Sequence, residues 1–312
     1  MLDTFYVKTP GVLTTIQDMG RIGYGQYGIA VSGAMDRFSL YAANLLVGND
    51  PGCAGLEITL YRLKLEVLRT VRVAVTGAAM NPVLDGKPLP MWQTVELPAG
   101  STLLFKDVGR GARCYLSVQG GLDAPLLLGS RSTHSKALLG EPLRKGDLLR
   151  ALPPKAETPF FLVPNDLIPA YSDSAQIRVV MGPQEDAFTA RGIDTFLSES
   201  YTITPQSDRQ GYRLKGEPIE HRAAADIISD AILPGAIQVP GNGQPIIMMI
   251  DAQTTGGYAK IACVIGPDMD ILGQMLPGRK VKFCKVSIEE AHSILRARSK
   301  ALSEFERQLA SR

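Results

Sequence analysis

Short apolar runs separated by turn signals limit this chain to a β-rich fold. Turn signals such as Asp85-Gly86 and Pro98-Ala99-Gly100 separate runs of four to seven residues in the first half. Strands of this length at this spacing are typical of a β-barrel or β-sandwich rather than of alternating β and α units. The runs occupy residues 56–60, 63–67, 71–76, 94–97, 101–105 and 112–118.

A second set of strand-like runs and a few helical patterns follow. Apolar residues recur at helical spacing over 35–46, 184–197 and 268–275, and a charged amphipathic helix is predicted from residue 288 onward. The fold class predicted from these patterns is mainly β with a few helices. The strand-like runs of the second half are 176–181, 201–204, 236–239, 245–250, 261–265 and 280–286.

A proline-rich stretch separates the two β regions. Five prolines lie between residues 153 and 169, and no hydrophobic period is visible there, as is typical of a stiff linker. A chain of 312 residues is long enough for two domains. We therefore predict an N-terminal β domain over 1–152, a linker over 153–174 and a C-terminal β domain with a terminal helix over 175–312.

Composition excludes several classes of function. Lys and Arg number 33 against 31 Asp and Glu, a balance that argues against a nucleic-acid partner. No apolar run approaches the roughly 20 residues needed to span a bilayer, and the N-terminus lacks a signal-peptide pattern, so we expect a cytoplasmic protein without a membrane partner. The four cysteines and three histidines show no metal-binding spacing, so no metal site is predicted from them.

The stretch DAQTTGGYAK at 251–260 places polar side chains between two apolar runs. Gly256 and Gly257 can take positive φ and can let a ligand approach the backbone closely. Asp251 and Lys260 place opposite charges at the two ends. The stretch is interpreted either as a ligand-binding joint or as a polar hairpin turn that satisfies its own backbone, since Gly-Gly between strands is a hairpin signal.

A second polar cluster, PQSDRQGYR, lies at 205–213. The Arg209 guanidinium can hold a carboxylate or phosphate through two hydrogen bonds, and Asp208 can orient it or accept a proton. A surface turn with a weak Asp–Arg pair is an equal alternative.

Seven stretches spread over nearly the whole chain form a recognisable set. They are LTTIQDMGR at 13–21, VSGAMD at 31–36, NLLVGN at 44–49, LEIT at 56–59, QSDR at 206–209, GYRL at 211–214 and QTTGGYAK at 253–260. In this order they resemble the allophanate hydrolase subunit 2-like (KipA-like) family, also called the biotin-dependent carboxyltransferase family.

The resemblance implies two cyclophilin-like β-barrel domains and a site formed with a KipI-like partner. It further implies a component of an ATP-dependent 5-oxoprolinase, completed by a LamB/YcsF-like protein. That enzyme opens the small cyclic amide 5-oxo-L-proline to L-glutamate and hydrolyses ATP, with Mg²⁺ accompanying the nucleotide.

The chemistry of lactam opening suggests roles for the two polar clusters. A lactam amide is unreactive, and phosphorylation of its oxygen is a way to activate it. This step needs cations that bind the phosphate and hydrogen-bond donors near the negative charge that develops. We expect Arg209 and Lys260 to supply positive charge, and Asp208 and Asp251 to orient these groups or to bind the magnesium ion. The predicted substrate-binding residues are Gln206, Ser207, Gln253, Thr254, Thr255, Gly256, Gly257 and Tyr258.

Two other functions remain open from the sequence. One is a carboxyltransferase that acts with carboxybiotin on a urea-like amide; no biotin-acceptor Met-Lys sequence occurs here, so biotin would come from another chain. The other is a non-catalytic regulator that binds a KipI-like inhibitor of a sensor kinase. A neighbouring gene for a LamB/YcsF-like protein favours lactam opening, and one for a biotin carboxylase favours carboxyl transfer.

Overall fold

A computed structural model describes residues 2–107, 109–155 and 159–310, which divide into two compact units. Unit 1 takes in the described residues of Met1–Ile22, Ser32–Tyr171 and Glu306–Arg312, and unit 2 takes in Gly23–Val31 and Ser172–Phe305. Within the described ranges the fold has 21 strands and four α-helices, so the prediction of a mainly β fold with a few helices is confirmed.

Unit 1 consists of two antiparallel sheets and one helix. Its strands are β1 (Leu2–Pro10), β2 (Leu13–Gln17), β3 (Gly55–Thr59), β4 (Leu63–Val67), β5 (Val71–Gly77), β6 (Pro82–Leu84), β7 (Lys87–Pro88), β8 (Thr94–Leu97), β9 (Thr102–Phe105), β10 (Arg113–Val118), β11 (Leu122–Asp123) and β12 (Leu148–Ala151); its helix is α1 (Arg37–Leu46). One sheet has the order β11-β12-β1-β4-β9-β6-β7, and the other has the order β2-β3-β10-β5-β8.

The core of unit 1 contains side chains from both sheets. Phe5, Leu65 and Phe105 of the first sheet and Leu56 and Leu116 of the second belong to one buried cluster. Alternating residues of β4 face this cluster, which is the period-2 pattern of a strand with one face in the core. All six residues of β10 are buried, because helix α1 contacts β10 and β5.

Helix α1 begins with a buried aspartate cap. The N-cap of α1 is Asp36. Its carboxylate accepts hydrogen bonds from the Ser39 N–H (3.0 Å), the Ser39 hydroxyl (2.7 Å) and the Tyr171 hydroxyl (2.8 Å). An acidic cap satisfies a free helical N–H and interacts favourably with the helix dipole.

Replacing Asp36 with alanine should lower the free energy of unfolding by about 2 kcal/mol, the upper range for loss of a helix cap. The loss is at this upper end because the Ser39 and Tyr171 hydroxyls lose their acceptor in a buried site. Urea unfolding followed by circular dichroism measures the effect. Asp36→Asn keeps a capping oxygen and should lose less; an equal loss for both variants would contradict a capping role.

The described part of the predicted linker pairs with unit 1. The Thr94 N–H donates to the Phe161 carbonyl, and the Val163 N–H donates to the Trp92 carbonyl, both at 2.9 Å. Phe161 and Val163 are buried, which explains why residues 159–171 stay with unit 1 despite their prolines. Residues 156–158 of the predicted linker lie outside the described residues, and the exact domain boundaries stay a prediction.

Unit 2 contains a closed seven-stranded barrel with the order β13-β20-β17-β18-β15-β14-β21, which confirms the predicted barrel for this half of the chain. Strands β16 and β19 form a separate two-stranded sheet. The strands are β13 (Ser174–Met181), β14 (Ser200–Ile203), β15 (Gly211–Lys215), β16 (Asp226–Ala231), β17 (Ala236–Gln238), β18 (Ile246–Met248), β19 (Thr255–Tyr258), β20 (Lys260–Val264) and β21 (Lys280–Lys285). The helices are α2 (Ala190–Ser198), α3 (Gly266–Gly273) and α4 (Ile288–Ala310), of which residues 288–305 belong to unit 2.

The helix predicted over 184–197 is shorter than expected. Residues Glu185–Ala187 form a 3₁₀ turn, and α2 begins only after its N-cap Thr189, whose hydroxyl accepts the Gly192 N–H at 2.9 Å. A capping threonine inside the apolar pattern therefore starts the helix late. Among the described residues, no helix combines the length and the apolar character that crossing a bilayer requires.

Candidate functional site

The two polar clusters meet at one end of β15 and β18. Residues 204–210 join β14 to β15, and Asp251 follows β18, which is paired with β15 through Gly211 and Met248. The Asp251 N–H donates to the Arg209 carbonyl at 2.9 Å. The two clusters, far apart in the sequence, are therefore adjacent because their strands are neighbours in the barrel.

Arg209 and Asp251 form a bidentate ion pair. Arg209 Nε lies 2.7 Å from Asp251 Oδ2, and Arg209 Nη2 lies 3.1 Å from Asp251 Oδ1. Only 12% of the Arg209 side chain and 7% of the Asp251 side chain are exposed. Charge-assisted hydrogen bonds of this geometry are strong and hold both side chains in one orientation. The structure thus gives Asp251 the position of an orienting partner for Arg209.

Lys260, the second predicted cation, has a different carboxylate partner. It stands at the start of β20, and its Nζ donates to Asp230 Oδ2 at 2.5 Å and to the Ala231 carbonyl at 3.3 Å. The Lys260 side chain is 7% exposed, whereas that of Asp230 is 51% exposed. A buried ammonium is therefore held by a carboxylate that remains half in water.

Residues 251–260 do not form the hairpin turn that was the alternative interpretation. Strands β18 and β20 both pair with β17 and lie on opposite sides of it. The four residues Thr255–Tyr258 are themselves strand β19, which is paired with β16. The Gly-Gly signal was misleading because the segment pairs with a distant strand rather than with its neighbours.

The small size of Gly256 serves packing within the chain. Neither Gly256 nor Gly257 has a φ in the left-handed region that was expected. A Cβ on Gly256 would collide with Ile232 Cδ1 and would lie 2.8 Å from Gln238 Nε2. The space predicted to admit a ligand is thus filled by two side chains of the protein.

Most of the cluster at 205–213 lies in the turn between β14 and β15, which is stabilised by side chains of the cluster. Asp208 Oδ1 accepts the N–H groups of Gln210 (2.8 Å) and Gly211 (3.2 Å), and the Ser207 hydroxyl accepts the Arg213 N–H (3.0 Å). Such bonds are typical of aspartate and serine in turns. The Gln206 side chain is exposed.

The remaining predicted substrate-binding residues line β19 and the segment before it. Gln253, Thr255 and Tyr258 are exposed, and Thr254 is half-buried, with its carbonyl accepting the Ile232 N–H at 2.9 Å. Their accessibility leaves room for contact with a substrate. Their roles in binding stay a prediction.

Sequence reasoning missed Asp230 and Gln184, which complete the Lys260 site. The hydrogen bond from Lys260 is the main cause that holds the pKa of Asp230 below its usual range, followed by the Ala231 N–H; a hydrogen bond from Gln184 contributes less. Gln184 Oε1 also accepts the Lys260 N–H at 3.2 Å. A lysine directly before a buried strand signals a need for an anion, but the identity of that anion depends on chain topology.

The two carboxylates predicted for magnesium already accept hydrogen bonds within the chain, and their magnesium-binding role stays a prediction. Both oxygens of Asp251 accept from Arg209, and Asp208 Oδ1 accepts two backbone N–H groups. Magnesium is usually bound by one or two carboxylates together with phosphates and waters in near-octahedral geometry. Throughout the described part of the chain, no group of three or more His, Cys, Asp or Glu side chains is placed to hold a metal.

Comparison with curated proteins identifies relatives of matching length. The chain is 40% identical over 306 residues to a 5-oxoprolinase subunit of Escherichia coli, covering 97% of this chain and 96% of that protein. It is 35% identical to the corresponding 5-oxoprolinase subunit of Haemophilus influenzae, covering 98% of each. Urea amidolyase of Saccharomyces cerevisiae is 32% identical over 96% of this chain, but the match covers 18% of that enzyme.

Solved structures share the same fold. The structure of TTHA0988 matches with a TM-score of 0.84 and 32% identity, over 91% of this chain and 55% of that one. The urea amidolyase of K. lactis matches with a TM-score of 0.91 and 30% identity, over 97% of this chain and 20% of that one. The chain therefore spans about half of the first protein and a fifth of the second.

A family model assigns the chain directly. The model describes the carboxyltransferase domain, subdomains A and B, and it matches residues 27–285, which include both polar clusters and the Lys260 site. The resemblance predicted from the motifs is confirmed by this match and by the relatives. The chain thus belongs to the carboxyltransferase family of subdomains A and B.

Proposed function

We propose that this chain is one component of an ATP-dependent 5-oxoprolinase that opens 5-oxo-L-proline to L-glutamate. The observation that carries the proposal is 40% identity to a named 5-oxoprolinase subunit over nearly the full length of both chains. The urea amidolyase match, in contrast, covers only 18% of a much larger enzyme. Because the reaction consumes ATP, the proposed enzyme would act in the cytoplasm.

The proposed enzyme needs further subunits. The relatives are each named as one subunit of an enzyme, which supports a multi-subunit assembly. We propose a KipI-like partner and a LamB/YcsF-like partner, and we assign the hydrolysis of ATP to the assembled enzyme. The balanced reaction consumes the lactam, ATP and two water molecules, one for the amide bond and one for ATP, and yields glutamate, ADP, phosphate and a proton.

Lys260 is the residue best suited to act on the substrate. Its ammonium is buried, so it interacts more strongly with an anion than a solvated lysine would. It can hold the carboxylate of 5-oxoproline or stabilise negative charge that develops on the opening ring. Arg209 is better suited to an orienting role, because its Nε and Nη2 both donate to the Asp251 carboxylate.

ATP-dependent glutamate release from 5-oxo-L-proline tests the proposal. The chain alone should release no glutamate, whereas the chain mixed with KipI-like and LamB/YcsF-like partners should release glutamate in step with ATP hydrolysis. Omitting ATP or any one protein should abolish the signal. A complete mixture that hydrolyses no 5-oxoproline would overturn the proposal.

Carboxyl transfer from carboxybiotin to a urea-like amide is the second candidate. The TM-score of 0.91 to the K. lactis urea amidolyase favours it. Biotin would then be carried by another chain. Bicarbonate-dependent carboxylation of urea with a biotin carboxylase and carrier would support this function, and partner binding without any turnover would support a regulator.

A further inference from the structure

The ammonium of Lys260 holds the carboxylate of Asp230. Lys260 Nζ donates to Asp230 Oδ2 at 2.5 Å, and the Ala231 N–H donates to Asp230 Oδ1 at 2.7 Å. Gln184 lies beside this pair, because its Oε1 accepts the Lys260 N–H at 3.2 Å. A buried ammonium with a side-chain amide beside it is typical of a carboxylate-binding site.

The barrel fixes the positions of Lys260 and Gln184. Lys260 pairs with Gln238 of β17, and the Gly182 N–H donates to the Ile261 carbonyl at 2.8 Å. The Lys260 N–H donates to Gln184 Oε1, which orients the Gln184 amide. The ammonium and the amide are therefore held in place independently of Asp230.

The carboxylate, in contrast, comes from a strand that lies outside the barrel and is mostly exposed. Strand β16 lies outside the barrel order and pairs only with β19 among the described strands. Five of its six residues are exposed, and its register shifts between Asp226 and Asp230. Segments with few buried contacts open at low free-energy cost. Asp230 can thus leave the site more easily than Lys260 or Gln184.

The energetics of exchange favour replacement by another carboxylate. A buried ammonium without a partner is strongly unfavourable, whereas the half-exposed Asp230 can be solvated by water. An incoming carboxylate would keep Lys260 paired while Asp230 turns to solvent. A neutral ligand would leave the ammonium uncompensated.

We propose that Lys260 and Gln184 form a binding site for the carboxylate of a small-molecule substrate, and that Asp230 occupies this site as a displaceable internal carboxylate. Only the identity of the ligand rests on the proposed function. On that function, the bound group is the carboxylate of 5-oxo-L-proline. Carboxylates then displace Asp230 from Lys260, whereas neutral lactams do not.

Calorimetric titration of the full chain with cyclopentanecarboxylate and cyclopentanecarboxamide tests the site without requiring turnover. Asp230→Asn removes the competing charge and should tighten carboxylate binding by about tenfold or more, since the site is then always available. Asp226→Asn, on the same exposed strand, is the matched control and should bind as the wild type does. Lys260→Met should abolish carboxylate binding, and Gln184→Leu should weaken it.

Equal carboxylate affinities for D230N and the wild type would overturn the proposal, as would equal responses to the carboxylate and the carboxamide. If D230N fails to fold, the K260M and Q184L titrations decide, because unchanged binding in both would also overturn it. The outcome is separable from the proposed function. If D230N binds carboxylates more tightly but the assembled enzyme does not turn over 5-oxoproline, the carboxylate-binding site is supported and 5-oxoproline is excluded as its substrate.

Discussion

Lys260→Met is expected to lower the turnover of 5-oxoproline by the assembled enzyme about 100- to 1000-fold, the usual effect of removing one electrostatic donor from an active site. Folding should be nearly unaffected. Methionine retains the apolar stem of the buried side chain, and the partner that loses its counter-charge is the half-exposed Asp230, which water can solvate. A large loss of activity in a folded chain would mark Lys260 as a residue that acts on the substrate.

Lys282→Met is the matched control for this prediction. Lys282 is an exposed lysine of barrel strand β21, so its loss changes net charge by the same amount without touching the site. Glutamate release under saturating ATP and thermal unfolding of both variants are the measurements. Equal turnover for K260M and K282M would remove Lys260 from the site.

Arg209→Met is expected to lower the free energy of unfolding by about 3–5 kcal/mol, the range measured when one partner of a buried ion pair is removed. Both members of this pair are buried, in contrast to the pair formed by Lys260. The variant leaves the buried Asp251 carboxylate without the Arg209 guanidinium, which donates to both of its oxygens. Chemical denaturation of the isolated chain measures the loss.

The double variant Arg209→Met/Asp251→Leu controls for lost contacts. Replacing both partners with apolar groups of similar size is often neutral or stabilising, so most of the stability should return. A double variant as unstable as R209M would show that the loss comes from packing rather than from the uncompensated carboxylate. An R209M chain of wild-type stability but without activity would instead assign Arg209 directly to the substrate.

The spacing of apolar residues along the sequence correctly predicted the strands and the helix around the site. The runs at 245–250 and 261–265 became β18 and β20, and the pattern at 268–275 became α3, displaced by two residues. The hairpin signal at Gly256-Gly257 failed, because β19 finds its partner β16 more than 20 residues upstream. Short-range turn preferences cannot compete with pairing to a strand that the surrounding fold brings alongside.

The β-rich class, the barrel strands and the two polar clusters follow from residues only a few positions apart, since a strand or turn is set by its immediate neighbours. The partners of the charges do not. Arg209 meets Asp251 across 42 residues, and Lys260 meets Asp230 across 30. These pairs exist because β15 lies beside β18 and because β16 lies beside β19. Burial then makes the correct pairing decisive, because an ammonium or carboxylate removed from water must find a counter-charge within hydrogen-bond distance.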